Sequence, residues 1–217
     1  MTKGLRQVFL CVQLSVCLAL VSCSIELKIP DVVDDRVKAL VRDEAAHILT
    51  VTEDRESFSQ YQFFLSNFPR EDLLGLSVGN RRIYISYKLA ALALNDERYL
   101  WLLRQTIAHE IAHEIAGHAK QKELPWFSAG NFAIGASGRE VGLPWYVRLY
   151  NYPTKRELEA DRIGLELWTK LGWDCGIWVQ ILKDFQARNY TGDVFPPTDR
   201  RLQQAQNLCG LSETKNP

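Results

Sequence analysis

Residues 109–113 of the 217-residue chain read His-Glu-Ile-Ala-His, a spacing that suits metal chemistry on a helix. Each helical residue turns by about 100°, so His109 and His113 lie only about 40° apart and one turn along. Both imidazoles can therefore reach one zinc ion at roughly 2.0–2.1 Å. Glu110 lies at the edge of the same face, where it can contact a water on the metal rather than the metal itself. The pattern is typical of a zinc hydrolase, in which the metal activates water and the carboxylate takes its proton.

A catalytic zinc site needs a third protein ligand, and residues 157–161 offer acidic candidates. Glu157 and Asp161 share a helical face, so Glu157 could bind the metal while Asp161 hydrogen-bonds a ligand histidine. Glu159 points about 200° away from Glu157 and is expected to face solvent. Thr154 and Glu157 also match a capping box, in which Glu157 only satisfies the start of its helix. Spacing alone leaves both interpretations of Glu157 open.

Another histidine, His118, does not fit the same helical face. On a continuous helix it lies about 180° from His109 and about 140° from His113. It could join their site only if the helix breaks at Gly117. A structural role outside the metal site is therefore expected for His118.

The two motifs require two helices that pack together, and the flanking sequence predicts both. Apolar periodicity and capping residues predict a helix over about 96–117, which would carry the histidines. A second helix is predicted over about 154–171, and it would carry the acidic motif. Ala160 and Gly164 are small enough for the second helix to approach the first closely.

A strand is predicted at 82–87, where β-branched and aromatic residues follow a Gly-Asn pair. It could be a sheet edge that pairs with an extended substrate, or an ordinary half-buried strand. Other stretches predict helices at 31–50 with Asp31 as cap, 54–72 in part, 88–94, 175–189 and 200–208. These elements predict an α+β fold that is mostly helical, with a small sheet beside the His-Glu-Ile-Ala-His helix.

Residues 124–147 are rich in glycine and contain two Leu-Pro-Trp triplets, which predicts a loop or a short hairpin. Such a segment could be a lid over the cleft or a surface that rests on a membrane. The alternative is plain packing of aromatic residues.

The beginning of the chain has the features of an export signal. Two basic residues precede an apolar run at 8–21, which is too short for a comfortable membrane span but suits the core of a signal peptide. The run ends at Cys23 in a sequence that resembles the lipobox of bacterial lipoproteins. This resemblance implies a signal peptide at 1–22, a lipid on Cys23 and attachment to a membrane of the cell envelope. In a Gram-negative organism that would be the outer membrane, facing the periplasm. The alternatives are an ordinary cleaved signal and an uncleaved anchor.

Composition and charge limit the class of protein to which the chain can belong. With 47% hydrophobic and 24% charged residues it resembles an ordinary globular protein, which excludes a disordered chain and a polytopic membrane protein. Residues 23–217 suit a single domain. The net charge is +0, so a nucleic-acid partner is not expected. Cys175 and Cys209 remain after signal removal and are expected to form a disulfide in an oxidising compartment; the alternative is two buried free thiols.

The two motifs together resemble those of zinc metallopeptidases of the CAAX-prenyl-protease and heat-shock-protease HtpX type, which are gluzincin-like. That family pairs HExxH with a downstream ExxxD helix, and a further histidine often follows. The matching stretches here are residues 109–113, His118 and residues 157–161, and the resemblance extends over roughly 75–205. It implies one zinc ion per chain with Glu110 as the catalytic base and with the ligands His109, His113 and Glu157.

One position departs from the family. Phe195 stands where the family has a histidine, which puts the role of that histidine in doubt. Arg201 matches a family arginine and could stabilise an oxyanion; a solvated charge or a salt bridge is the alternative. The sequence thus predicts a zinc endopeptidase of the cell envelope that acts on proteins or peptides and is tethered to the membrane by lipid. The alternatives are a non-proteolytic metal-binding chaperone or assembly lipoprotein, and a zinc hydrolase of a non-peptide bond.

Overall fold

A computed structural model describes residues 31–53, 59–68, 71–118, 152–188 and 198–211. The predicted signal peptide, Cys23, the segment 124–147 and Phe195 lie outside these residues. The described part confirms an α+β fold that is mostly helical. Its elements are α1 (Asp35–Leu49), β1 (Gln62–Ser66), β2 (Gly75–Ser77), β3 (Arg82–Ser86), α2 (Tyr87–Ala93), α3 (Glu97–Ile115), α4 (Thr154–Lys170), α5 (Cys175–Ala187) and α6 (Thr198–Leu208).

The three strands form one mixed sheet in the order β1-β3-β2. β3 pairs in parallel with β1 and antiparallel with β2, so the suggestion that this strand is a sheet edge was wrong. Ile83, Tyr84 and Ile85 are all buried, which is expected of a strand covered on both faces. The edge strand nearest the metal motif is β2.

The stretch 54–72 was predicted to be helical in part, but its described residues contain only a short 3₁₀ turn at 59–60 and are otherwise dominated by a strand. Gln62–Ser66 forms β1, which pairs residue by residue with Arg82–Ser86. Phe64 lies opposite Tyr84, and their rings stack with centroids 4.8 Å apart. The strand is therefore stabilised by a partner about twenty residues away, a contact that local periodicity does not reveal.

Helix α1 begins four residues later than predicted, at Asp35 rather than at position 31, and Asp31 is not its cap. Asp34 is the N-cap residue and accepts a hydrogen bond from the Val37 N–H at 3.1 Å. Asp31 instead accepts the Leu65 N–H at 2.9 Å, and its carboxylate lies 2.7 Å from the Lys38 ammonium. It thus ties the start of α1 to strand β1.

Helices α3 and α4 form the centre of the molecule and pack closely, as their small residues predicted. Asp96 caps α3 by accepting the Arg98 N–H at 2.9 Å. Ala160 is fully buried, and a Cβ atom at Gly164 would lie 3.4 Å from the backbone of Ala108 and 2.9 Å from the Trp178 ring. A side chain at position 164 would therefore clash with the Trp178 ring of α5 and would leave no spare room against α3.

The last helices are joined covalently. Cys175 at the start of α5 and Cys209 just after α6 form a disulfide, with their Cα atoms 5.9 Å apart. Within the described ranges, no helix has both the length and the apolar character needed to cross a bilayer.

Candidate metal centre

Three side chains from α3 and α4 converge on one point. His109 Nε2 lies 3.1 Å from His113 Nε2 and 3.1 Å from Glu157 Oε2, and His113 Nε2 lies 3.6 Å from Glu157 Oε1. Tetrahedral ligands at 2.0–2.1 Å from zinc are about 3.3–3.4 Å from one another. The donor spacing therefore fits a zinc ion, and these three residues could hold a metal ion.

The structure separates the two interpretations of Glu157. The N-cap residue of α4 is Pro153, and no side chain makes a capping hydrogen bond there. Glu157 is 6% exposed, and its carboxylate contacts the two histidines instead of the helix start. It therefore belongs to the metal-binding group, while the capping box with Thr154 is not formed.

Asp161 and Arg201 support the first histidine. The His109 Nδ1–H lies 3.0 Å from Asp161 Oδ1, which orients the ring so that Nε2 faces Glu157. Arg201 on α6 donates two hydrogen bonds to the same carboxylate, at 2.6 and 2.7 Å. The salt-bridge alternative for Arg201 is thus the one observed, and its side chain acts on His109 through Asp161.

Glu110 lies beneath strand β2. It is 7% exposed, and its Oε2 accepts the backbone N–H of Ser77 at 2.7 Å. A Cβ atom at Gly75 would lie 2.7 Å from Glu110 Cγ and 2.8 Å from the Thr106 methyl, so only glycine allows this approach. Burial raises the pKa of Glu110 to about 7, the range in which a general base works best at neutral pH.

His118 contacts the metal-binding group, contrary to expectation, although it is not one of the three donors. Helix α3 ends at Ile115, and Gly117 adopts a left-handed φ of 66°, so the chain folds back in a Schellman turn. His118 is 1% exposed, and its Nδ1 lies 2.9 Å from His113 Nδ1. Gly117 was the sequence signal for this reversal.

Glu159 was expected to face solvent. Its side chain is 44% exposed, but its carboxylate lies 3.3 Å from His118 Nε2.

The ring of Tyr152 covers one face of His113. Its ring stacks on His113 with centroids 4.2 Å apart, and its hydroxyl donates to the Ser77 carbonyl at 3.0 Å. Sequence reasoning missed this residue, because nothing local indicates that the segment before α4 returns to the motif helix. Tyr152 therefore links the ring of His113, one of the three candidate donors, to the strand that contacts Glu110.

The protonation states of the metal-free site show that its buried carboxylates need a neighbouring positive charge. Burial opposes protonation of His109, but hydrogen bonds to Asp161 and Glu157 outweigh it and raise the pKa of His109 to about 10. Burial lowers the pKa of His113 and of His118, so both are neutral at pH 7. Burial also opposes ionisation of Glu157, yet the histidines hold its pKa below the usual value. A proton on His109 thus supplies the positive charge that a metal would bring.

A small cleft of about 70 Å³ opens beside these residues and contains groups that the sequence did not single out. Gln105 lies one turn before His109 and is 3% exposed. Among the described residues, its Nε2 has no hydrogen-bond partner. The remaining lining side chains include Asp72, Leu74, Thr106 and Phe185. A larger groove of about 740 Å³ lies elsewhere, beside Glu114 and Lys170, and none of the three metal donors lines it.

In comparisons with known proteins, no family model matches the chain and no curated protein is significantly similar to it in sequence. The case for a function therefore rests on the chemistry of the residues in the site.

Proposed function

We propose that the protein is a zinc-dependent endopeptidase of the bacterial cell envelope, anchored by lipid on Cys23. The observation that carries this proposal is the placement of Glu110 beside three donors spaced for zinc, from His109, His113 and Glu157. Two imidazoles and one carboxylate with a neighbouring free carboxylate are the set that hydrolytic zinc sites use. Misfolded or membrane-associated proteins are the proposed substrates.

A zinc ion held by these residues would supply a Lewis acid and make hydroxide accessible near neutral pH. Glu110 accepts the proton of the attacking water and passes it to the nitrogen of the leaving amine. The Ser77 N–H holds one carboxylate oxygen of Glu110 at 2.7 Å and so fixes its direction. The raised pKa of Glu110 suits a group that must both take and return a proton.

Strand β2 offers a way to hold an extended peptide. Leu74 and Val78 direct their backbone groups to β3, because Leu74 O accepts from Ser86 N and Val78 N donates to Arg82 O. Successive residues of a strand point their backbone N–H and C=O groups to opposite sides. The N–H and C=O of Gly75 therefore point away from β3, towards the edge of β2 that β3 does not cover. Gly75 also lines the cleft. A substrate strand paired there would lie next to Glu110.

The test is the loss of casein over time, with the full chain in detergent and zinc. Glu110→Gln should keep its zinc but lose at least about 100-fold in rate, because only the proton acceptor is removed. Glu97→Gln is the matched control, since Glu97 lies on the same helix in an exposed first turn. Equal rates for Glu110→Gln and the parent would refute the mechanism. Casein binding without cleavage by the parent would favour the chaperone alternative.

Gln105 should favour substrate binding and lower the stability of the fold. An amide left unpaired in a buried site costs about 1–3 kcal/mol, so Gln105→Leu should raise the thermal midpoint. The same change should raise KM for casein peptides by roughly 10-fold with little change in kcat, because a donor to the peptide backbone is lost. Parallel melting curves and steady-state kinetics measure both effects. A lower midpoint with unchanged KM would assign Gln105 to the core alone.

A further inference from the structure

His118 and Glu159 form a hydrogen-bonded chain that ends on a metal donor. Glu159 Oε2 lies 3.3 Å from His118 Nε2, and His118 Nδ1 lies 2.9 Å from His113 Nδ1. His118 is held in place through its backbone as well, because its carbonyl accepts from the Arg156 guanidinium at 3.2 Å. The far nitrogen of His113, Nε2, faces His109 and Glu157.

The two Nδ1 atoms can be this close only if one of them carries a proton and the other a lone pair. A carboxylate only accepts hydrogen bonds, so Glu159 requires a proton on His118 Nε2. His118 is 1% exposed, and burial of a charged ring is costly, so the ring carries one proton and has its lone pair on Nδ1. That lone pair requires the proton on His113 Nδ1, which leaves a lone pair on His113 Nε2.

We propose that Glu159, acting through His118, fixes the tautomer of His113 so that its Nε2 lone pair faces the metal. His118 and Glu159 are thus positioning residues, and this inference rests on the metal site of the proposed function. Asp161 and Arg201 do the same for His109 from the other side.

The tautomer can be read directly by nitrogen NMR of the full chain in detergent, with and without zinc. The chain has 4 histidines, so histidine-selective labelling gives a simple spectrum. Protonated and lone-pair ring nitrogens resonate in separate regions. We expect His113 to carry its proton on Nδ1 in both states, and His118 on Nε2. A proton on His113 Nε2 in the metal-free chain would overturn the proposal.

Replacement of the acceptor at position 159 by a donor is the second test. A lysine there can only donate, so Glu159→Lys should move the His118 proton to Nδ1 and the His113 proton to Nε2, where it blocks the metal. We expect at least about a 10-fold loss of zinc affinity, measured by competition with a chromophoric chelator. Glu166→Lys on the same helix makes the same charge change at an exposed position and should alter affinity by less than about 2-fold.

Substitution of His118 completes the series. His118→Phe should lower zinc affinity by roughly 10–100-fold, and His118→Gln, whose amide oxygen can accept from His113, should recover most of it. Parental affinity in both Glu159→Lys and His118→Phe would overturn the proposal. If the parent bound no zinc, the proposed function would fail, whereas the tautomers of the metal-free chain would still decide this inference.

Discussion

Removal of zinc should lower the thermal midpoint by roughly 10 °C, and the loss should grow as the pH rises. Free zinc at a thousand times its dissociation constant stabilises the native state by about 4 kcal/mol, and each kcal/mol is worth about 2–4 °C in a chain of this size. In the metal-free protein, the stabilising charge is the proton on His109. A proton, unlike a metal ion, is lost at high pH.

The direction of the pH effect follows from the pKa values. The pKa of His109 is raised from 6.5 to about 10, so its contribution to stability is complete below about pH 6.5 and is lost as the pH rises through 10. Glu110 acts in the same direction at lower pH, because its pKa of about 7 in the folded chain exceeds the value of 4.5 expected when unfolded. Below about pH 6.5 the lowered pKa values of His113 and His118 act in the opposite direction, so metal-free stability should fall clearly only between about pH 7 and about pH 10.

Unfolding curves with zinc and with a chelator, taken at several pH values, measure this effect. In the metal-free state, His109→Gln should remove the pH dependence above about pH 7, because no proton is held at that position. A metal-free midpoint that is the same at pH 6 and pH 9 would contradict the assignment of the proton to His109.

Gly75→Ala should lower kcat/KM by more than about 100-fold while zinc stays bound. The new methyl would lie 2.7 Å from Glu110 Cγ and 2.8 Å from its Oε1, closer than such atoms approach in proteins. Glu110 cannot turn away freely, because it is buried and bound to the Ser77 N–H. Strand β2 must therefore move off α3 and take the base out of position, at a cost of about 1–3 kcal/mol in stability.

The experiment compares hydrolysis, zinc content and unfolding of Gly75→Ala with those of Gly176→Ala. A Cβ atom at Gly176 would meet its nearest neighbour, Asp174 Oδ1, at 3.2 Å, far from the site. The control should keep the parental activity. Retention of full activity by Gly75→Ala would show that the contact between β2 and Glu110 does not govern catalysis.

Local patterns predicted the helices outside the stretch 54–72 and part of the site. The pairing of His109 with His113 depends only on the turn of one helix, so their spacing predicted it. The role of Glu157 was ambiguous. A glutamate at this position can cap its own helix, or it can bind a metal together with histidines from a neighbouring helix. Only the face that α4 presents to α3 distinguishes them, and that face depends on packing around Ala160 and Gly164.

The features that sequence reasoning missed are contacts between distant segments or reversals of the chain. Strand β1 depends on its partner β3, and the close approach of Gly75 to Glu110 depends on where the sheet meets α3. His118 was placed by assuming a continuous helix, whereas Gly117 ends the helix and turns the next residue back. Angles around a helix axis hold only as far as the helix continues.

The position of Arg201 on α6 affects the order in which the site is completed. A ribosome delivers His109, His113 and Glu157 well before Arg201, and the disulfide that ties α6 to α5 needs Cys209, which comes later still. A nascent or truncated chain that stops before α6 therefore has every metal donor but lacks the guanidinium that holds Asp161 against His109. The hydrogen bonds from Arg201 that position Asp161 beside His109 can therefore form only after the last helix has been made and has docked.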